Sequence, residues 1–232
     1  MIKAIVFDTE TTGFDKPEII EAAWMVLSDN PFEGNIEHAD GRMFHSRFKP
    51  SKDIDVGAMA VHHILSSDLV DCRPSESFVL PEVEYVVGHN VDYDMGLISY
   101  AEGVTPPKRI CTLALSRHLF PGISHSQGAV LYHLLGARAR PMLQGAHNAL
   151  VDVTNCLLIL KQVIALKNLT TWEEIYALSE VARVPTVMAF GKHKGTLITE
   201  LPKDYIQWFL KQIDIDPYLE KALRLTQPIQ RV

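Results

Sequence analysis

IVFDTETTGFD, residues 5–15, is an apolar run that closes on two acids one residue apart, on threonines and on a glycine. Successive side chains alternate faces along a strand, so Asp8 and Glu10 project from the same face of a sheet. Two carboxylates so close repel each other, and either one takes up a proton or a cation sits between them. Hard, oxygen-only ligands of this kind suit Mg²⁺ or Mn²⁺ rather than zinc. By itself an acidic pair at a strand end is equally the mark of a solvated turn, so a metal site requires further ligands.

Two other stretches offer them. VVGHNVDYDMG, residues 86–96, again ends an apolar strand in a polar turn and carries Asp92 and Asp94. On a helix two residues apart are about 200° apart, so only one of these acids faces a shared site and the other is solvated. GAHNALVDV, residues 145–153, presents His147 and Asp152 at the head of a long apolar helix. A separation of five residues is about 140° of helix rotation, so the two converge only if His147 lies at or before the helix entry and Asp152 in its first turns. An exposed histidine there has the properties of a base working near neutral pH. Asn90 and Asn148 also read as helix N-caps.

The chain has 232 residues, 47% of them hydrophobic, enough for one domain of about 150–200 residues with an appendage. Apolar runs such as LLILKQVIAL are broken by charge short of the roughly 18 residues of a membrane span, and the first residues lack the segments of a signal peptide. Three widely spaced cysteines, Cys72, Cys111 and Cys156, fit a reducing cytoplasm better than a disulfide framework. The net charge of −6 argues against a polyanionic partner, but it is unevenly spread. Residues 181–232 carry eight Lys and Arg against five Asp and Glu, while residues 1–180 carry 14 against 23. Within the acidic part, residues 103–151 contain no acid but hold Lys108, Arg109, Arg117, Arg138 and Arg140, a candidate phosphate-facing surface if they cluster in space.

Periodicity predicts strands at 2–7, 19–27 (with a polar entry at Glu18 to Glu21), 42–48, 84–87 and 109–112. Helices are predicted at 93–101, 113–120, 127–135 and 148–166, with Gly136 as a C-cap. Strands first and alternating helices and strands later imply an α/β fold, a mixed sheet flanked by helices. Beyond it come a helix over 171–181 with a Thr171/Glu174 capping box, a strand over 187–190, the basic turn GKHKG at 191–195, and a helix over 203–212. Tyr205, Trp208 and Phe209 on that last helix suit either a nucleic-acid contact or an anchor to the rest of the chain.

FDTETTG, GHNVDYD and AHNALVD, in this order over residues 5–152, resemble the three motifs of the DnaQ-like 3′-to-5′ exonucleases of the DEDDh branch. MAVHHI (59–64), RICTLALSRHLFPGI (109–123), FGKHKG (190–195) and DYIQWFL (204–210) extend the resemblance over nearly the whole chain. The resemblance implies a ribonuclease H-like fold over residues 1–168 and a small α/β accessory module over 169–232. It implies that Asp8, Glu10, Asp94 and Asp152 hold two Mg²⁺ or Mn²⁺ ions and that His147 is the general base. It selects Asp94 over Asp92, because the motif reads His-Asn, three residues, Asp. It places Thr9, Thr11, Thr12, Phe14, His62 and Asn90 around the terminal nucleotide, Phe14 being otherwise a core residue at a strand end. The implied activity is hydrolysis of DNA, as single strands or duplex ends, from the 3′ terminus to nucleoside 5′-monophosphates. An RNA exonuclease of the same fold and a non-catalytic nucleic-acid adaptor are the alternatives.

Overall fold

A computed structural model describes residues 2–31, 43–100, 102–213 and 215–226. Five strands form one mixed sheet in the order β3-β2-β1-β4-β5: β1 (Ile2–Thr11), β2 (Ile19–Leu27), β3 (Met43–Arg47), β4 (Val83–Gly88) and β5 (Lys108–Cys111). β1 is central, antiparallel to β2 and parallel to β4, which explains why Ile5, Val6 and Phe7 are all fully buried. A strand covered on both faces needs a continuous apolar run rather than alternation. The strand does not stop where that run stops. It continues to Thr11 because β2 runs beside it, Asp8 pairing with Ala23 and Glu10 with Glu21 before the register shifts at Thr11. The two acids therefore stand on the strand itself and not in the turn beyond it.

Eight α-helices are described: α1 (Val56–His62), α2 (Val91–Gly96), α3 (Thr112–Leu119), α4 (Gln127–Leu135), α5 (Ala149–Lys167), α6 (Trp172–Arg183), α7 (Lys203–Phe209) and α8 (Pro217–Leu225). α1 and α8 were not among the expected elements, and α2 is shorter than the predicted 93–101. α5 lies against β1, β2 and β4 and buries Val153, Cys156, Ile159, Leu160 and Val163. Its 19 residues are long and apolar enough to cross a membrane by length and composition alone, although Asp152 and Lys161 interrupt the apolar run as expected. Half of that window is buried in the protein, so its apolar character is spent on the sheet. On the opposite sheet face Phe7, Trp24 and Phe44 are paired across three strands, Trp24 stacking on Phe44 at 3.8 Å and Phe78 stacking on Phe7 at 5.9 Å.

The chain divides into two compact units, Met1–Ser179 and Glu180–Val232. The first includes the start of α6, where the Thr171/Glu174 capping box forms with 3.2 Å bonds in both directions and Trp172 stacks on Tyr85. The second unit has its own apolar core of Met188, Ile198, Leu201, Ile206, Leu219 and Leu223. The strand expected at 187–190 is a single antiparallel bridge, Val187 to Leu197, closed over the 191–195 turn by the Met188 amide donating to the Thr196 carbonyl and the Gly195 amide donating to the Met188 carbonyl.

Candidate active site

The carboxylates of Asp8, Glu10 and Asp152 converge, each offering a ligand oxygen within 4.8 Å of the others. Asp8 and Glu10 come from one face of β1, and Asp152 from the first turn of α5. Burial, and then the charges of Asp94, Asp152 and Glu10, push Asp8 well above the usual carboxylate range. Burial and the neighbouring acids raise Glu10 to about 8, and burial raises Asp152. Left alone, such a cluster holds protons. Three mutually repelling oxygen donors are equally the donor set of a hard divalent cation, so the residues fit the metal site read from the motifs.

Asp94 stands beside them on α2, 4% exposed, and burial raises it to about 7. Its Oδ1 accepts from the Thr9 amide at 3.0 Å and the Thr9 hydroxyl at 2.6 Å. Asp92 points out to solvent and meets Arg109 at 3.4 Å. The helix geometry thus leaves one acid inward and one outward, and the inward one is Asp94. The threonine hydroxyls all have internal partners. Thr9 braces Asp94, Thr11 bonds the Tyr93 hydroxyl at 2.8 Å, and Thr12 accepts from the Glu18 amide at 3.1 Å.

His147 is exposed, two residues before α5, in the left-handed region at φ 66°. Its backbone amide donates to Asp152 Oδ2 at 2.9 Å, so the loop is tied to the carboxylate while the imidazole projects outward. Asn148 caps the helix by accepting from Leu150 and Val151. The next amide, Ala149, is bound from below by a residue the motifs do not contain: Glu21 Oε2 accepts from it at 3.0 Å. Glu21 was expected at the polar entry of β2, but it is completely buried. Burial opposes its charge, yet Arg47 at 2.9 Å, the Ala149 amide and His45 at 3.1 Å outweigh burial and hold it below the usual carboxylate range. The available signal was a single Glu inside the apolar run IIEAAW. Glu21→Ala removes the acceptor for a buried amide and the partner of a partly exposed Arg47, and should cost about 1–3 kcal/mol in urea unfolding, with Glu21→Gln recovering the part due to Ala149. An unchanged midpoint in Glu21→Ala would show that the link carries no stability.

Phe14 is 91% exposed and meets the edge of Tyr93, with ring centres 6.0 Å apart, so it is not a core residue. The preceding Gly13 has φ 135°, and a Cβ there would lie 2.9 Å from Asp55 Cβ, closer than carbon atoms approach. His62 ends α1 and is buried; its Nδ1 accepts from the Ile64 amide at 2.9 Å, which leaves the proton of the neutral ring on Nε2. Burial lowers its pKa, and Nε2 has no hydrogen-bond partner among the described residues. Asn90 is exposed at the head of α2, at φ 81°, and makes no side-chain cap. The acid-free basic stretch is partly neutralised, since Lys108 pairs with Glu84 at 3.3 Å and Arg109 with Asp92. Arg117, Arg138 and Arg140 are exposed.

An exonuclease family model, named for RNase T, matches residues 5–160. A model described as a quorum-sensing-regulated virulence factor matches residues 176–226. The chain is 28% identical over 231 residues to exodeoxyribonuclease 10 of Escherichia coli K12, covering 95% of each protein. It is 30% identical over 159 residues to the DNA polymerase III subunit epsilon of Salmonella typhimurium, covering 62% of this chain and 65% of that one. Among solved structures it is similar to exonuclease X in complex with 5′ overhanging duplex DNA, with a TM-score of 0.57 and 27% identity over 76% of this chain and 99% of that one. Exonuclease I of E. coli in complex with a dA16 oligonucleotide shares the fold, with a TM-score of 0.53 and 15% identity over 79% of this chain and 44% of that one.

Proposed function

Because this chain belongs to the exonuclease family, we propose that it hydrolyses DNA from the 3′ terminus, on single strands and at duplex ends, releasing nucleoside 5′-monophosphates. The observation that carries the reading is the convergence of Asp8, Glu10 and Asp152 at the end of the central strand, with exposed His147 tethered to the same cluster. The names of the relatives that the chain resembles favour DNA over RNA. Asp8, Glu10, Asp94 and Asp152 would hold two Mg²⁺ or Mn²⁺ ions. When bound, these supply Lewis-acid activation and cancel the charge of the cluster, so that an acidic protein can accept a polyanion.

The chain's own residues do the rest. His147 takes the proton of the attacking water, its backbone bond to Asp152 keeping the imidazole near the cluster without burying it. Thr9 fixes the orientation of Asp94. Phe14 offers an exposed ring on which a terminal base stacks, and His62, buried beside the Thr11 backbone, would support the 3′-end site from behind. The nuclease function belongs to the first unit, and an accessory nucleic-acid role to the second. The free thiols of Cys72, Cys111 and Cys156 support a reducing compartment such as the cytoplasm.

The test uses 5′-labelled DNA and RNA oligonucleotides of equal sequence with Mg²⁺, Mn²⁺ or EDTA. Progressive shortening of DNA with either metal, and none with EDTA, is expected. Preferential shortening of RNA would reassign the substrate, and the absence of EDTA-sensitive shortening of both would overturn the enzymatic reading.

A further inference from the structure

The second unit carries an aromatic cleft that the nuclease chemistry does not use. Phe190, Gly191, Lys192, Tyr205, Trp208 and Phe209 line a cavity of about 430 Å³, within the roughly 300–1,000 Å³ of ordinary ligand clefts. Phe209 forms its floor and is nearly buried, but Phe190 is 53% and Trp208 54% exposed. Tyr205 lines the same cleft, with ring centres 5.6 Å from Trp208, 5.8 Å from Phe209 and 4.4 Å from His193. Apolar packing alone does not account for two large rings left half in solvent on the wall of one cleft. At Gly191 φ is 73°, and a Cβ would meet the Tyr205 hydroxyl at 3.5 Å, so glycine lets the turn pass close over the ring. Lys192 lines the cleft and Lys194 stands exposed on the same turn, and neither pairs with a carboxylate among the described residues.

We propose that this cleft binds single-stranded DNA, stacking an unpaired base against Trp208 and Phe190 while Lys192 and Lys194 meet the flanking phosphates. Charge selects the occupant. Residues 181–232 carry +3 in a chain whose remaining residues carry −9, which suits a polyanion better than an apolar or acidic-tolerant peptide. Ring faces select the strand state, since bases in a duplex are already stacked and only unpaired ones can occupy the cleft. The inference rests on the DNA reading above for its choice of polymer. Covalent linkage alone gives the benefit: a strand held by the second unit stays at raised local concentration for the first.

The full-length protein is titrated with fluorescent oligo(dT) and with blunt duplex DNA in EDTA, by anisotropy. Trp208→Ala should weaken oligo(dT) binding roughly 5- to 100-fold and leave blunt duplex binding within about twofold. Lys192→Gln with Lys194→Gln should reduce the slope of log affinity against log salt by about 0.7 for each phosphate that a lysine no longer neutralises. Turnover of the p-nitrophenyl ester of thymidine 5′-monophosphate with Mn²⁺, which engages the nuclease site alone, should match the parent in both variants. Unchanged oligo(dT) affinity in Trp208→Ala, or equal weakening on duplex, would overturn the proposal and leave the cleft to an apolar peptide. Loss of ester turnover in the parent would instead refute the nuclease reading, with the binding comparison still deciding the role of the cleft.

Discussion

Replacing His147 by alanine is expected to lower kcat on DNA by about 10²- to 10⁴-fold, the usual contribution of a positioned acid–base group, while leaving divalent-cation affinity intact. The geometry separates these two quantities. The backbone amide of His147 holds Asp152, so an alanine keeps that bond and removes the imidazole, which acts on Asp152 only through its charge. Asp8→Ala should abolish turnover as well, but together with tight cation binding, because Asp8 lies at the centre of the repelling acids. Single-turnover kinetics and titration calorimetry with Mn²⁺ on both variants give the comparison. A His147→Ala protein that keeps most of its rate would remove histidine from the proton transfer.

The second large effect is on stability. In EDTA the protein should become less stable as pH rises from about 4 to about 8, and Mg²⁺ should restore most at the upper end. The sign follows from the direction of the shifts. Glu10 is raised from 4.5 to about 8 and Asp94 from 3.8 to about 7, so folding favours their protonated forms. That contribution is complete below the unfolded carboxylate range and is lost as pH passes through the folded values. At 1.36 kcal/mol per pKa unit the loss is on the order of a few kcal/mol, less than the separate shifts imply because the acids titrate as one group. Glu21 has the opposite sign: its lowered pKa adds stability that is lost on acidification, below the usual carboxylate range. Melting temperatures across this window, with EDTA and with Mg²⁺, provide the measurement. Parallel profiles under both conditions would show that the cluster does not bind the cation.

What could be read in the sequence was what short-range chemistry determines. Asp8 and Glu10 share a face because strands alternate, and His147 precedes α5 because only there could it approach Asp152. The choice between Asp92 and Asp94 needed the motif. Glu21 was misread because its partners Arg47 and Ala149 lie 26 and 128 residues away, and its neighbours in sequence do not reveal them. The end of β1 was placed too early for a related reason, since pairing with β2 and not residue type carries it to Thr11. The basic stretch looked uncompensated because Glu84 and Asp92, the acids that meet Lys108 and Arg109, fall before it in the chain. α8 carries local signals of its own, Asp216 as its cap and Pro217 in its first turn, that lie beyond the last element expected from the sequence.

Gly13 lies against Asp55, whose amide donates to Thr12 at 2.8 Å, and Asp55 caps the helix that ends in His62. Phe14 and His62, 48 positions apart in the chain, therefore sit at the two ends of one stiff splint. Insertions or deletions between Phe48 and Asp55 would displace the ring and the imidazole together. Any bulkier residue at position 13 would pry the splint apart and shift both groups together.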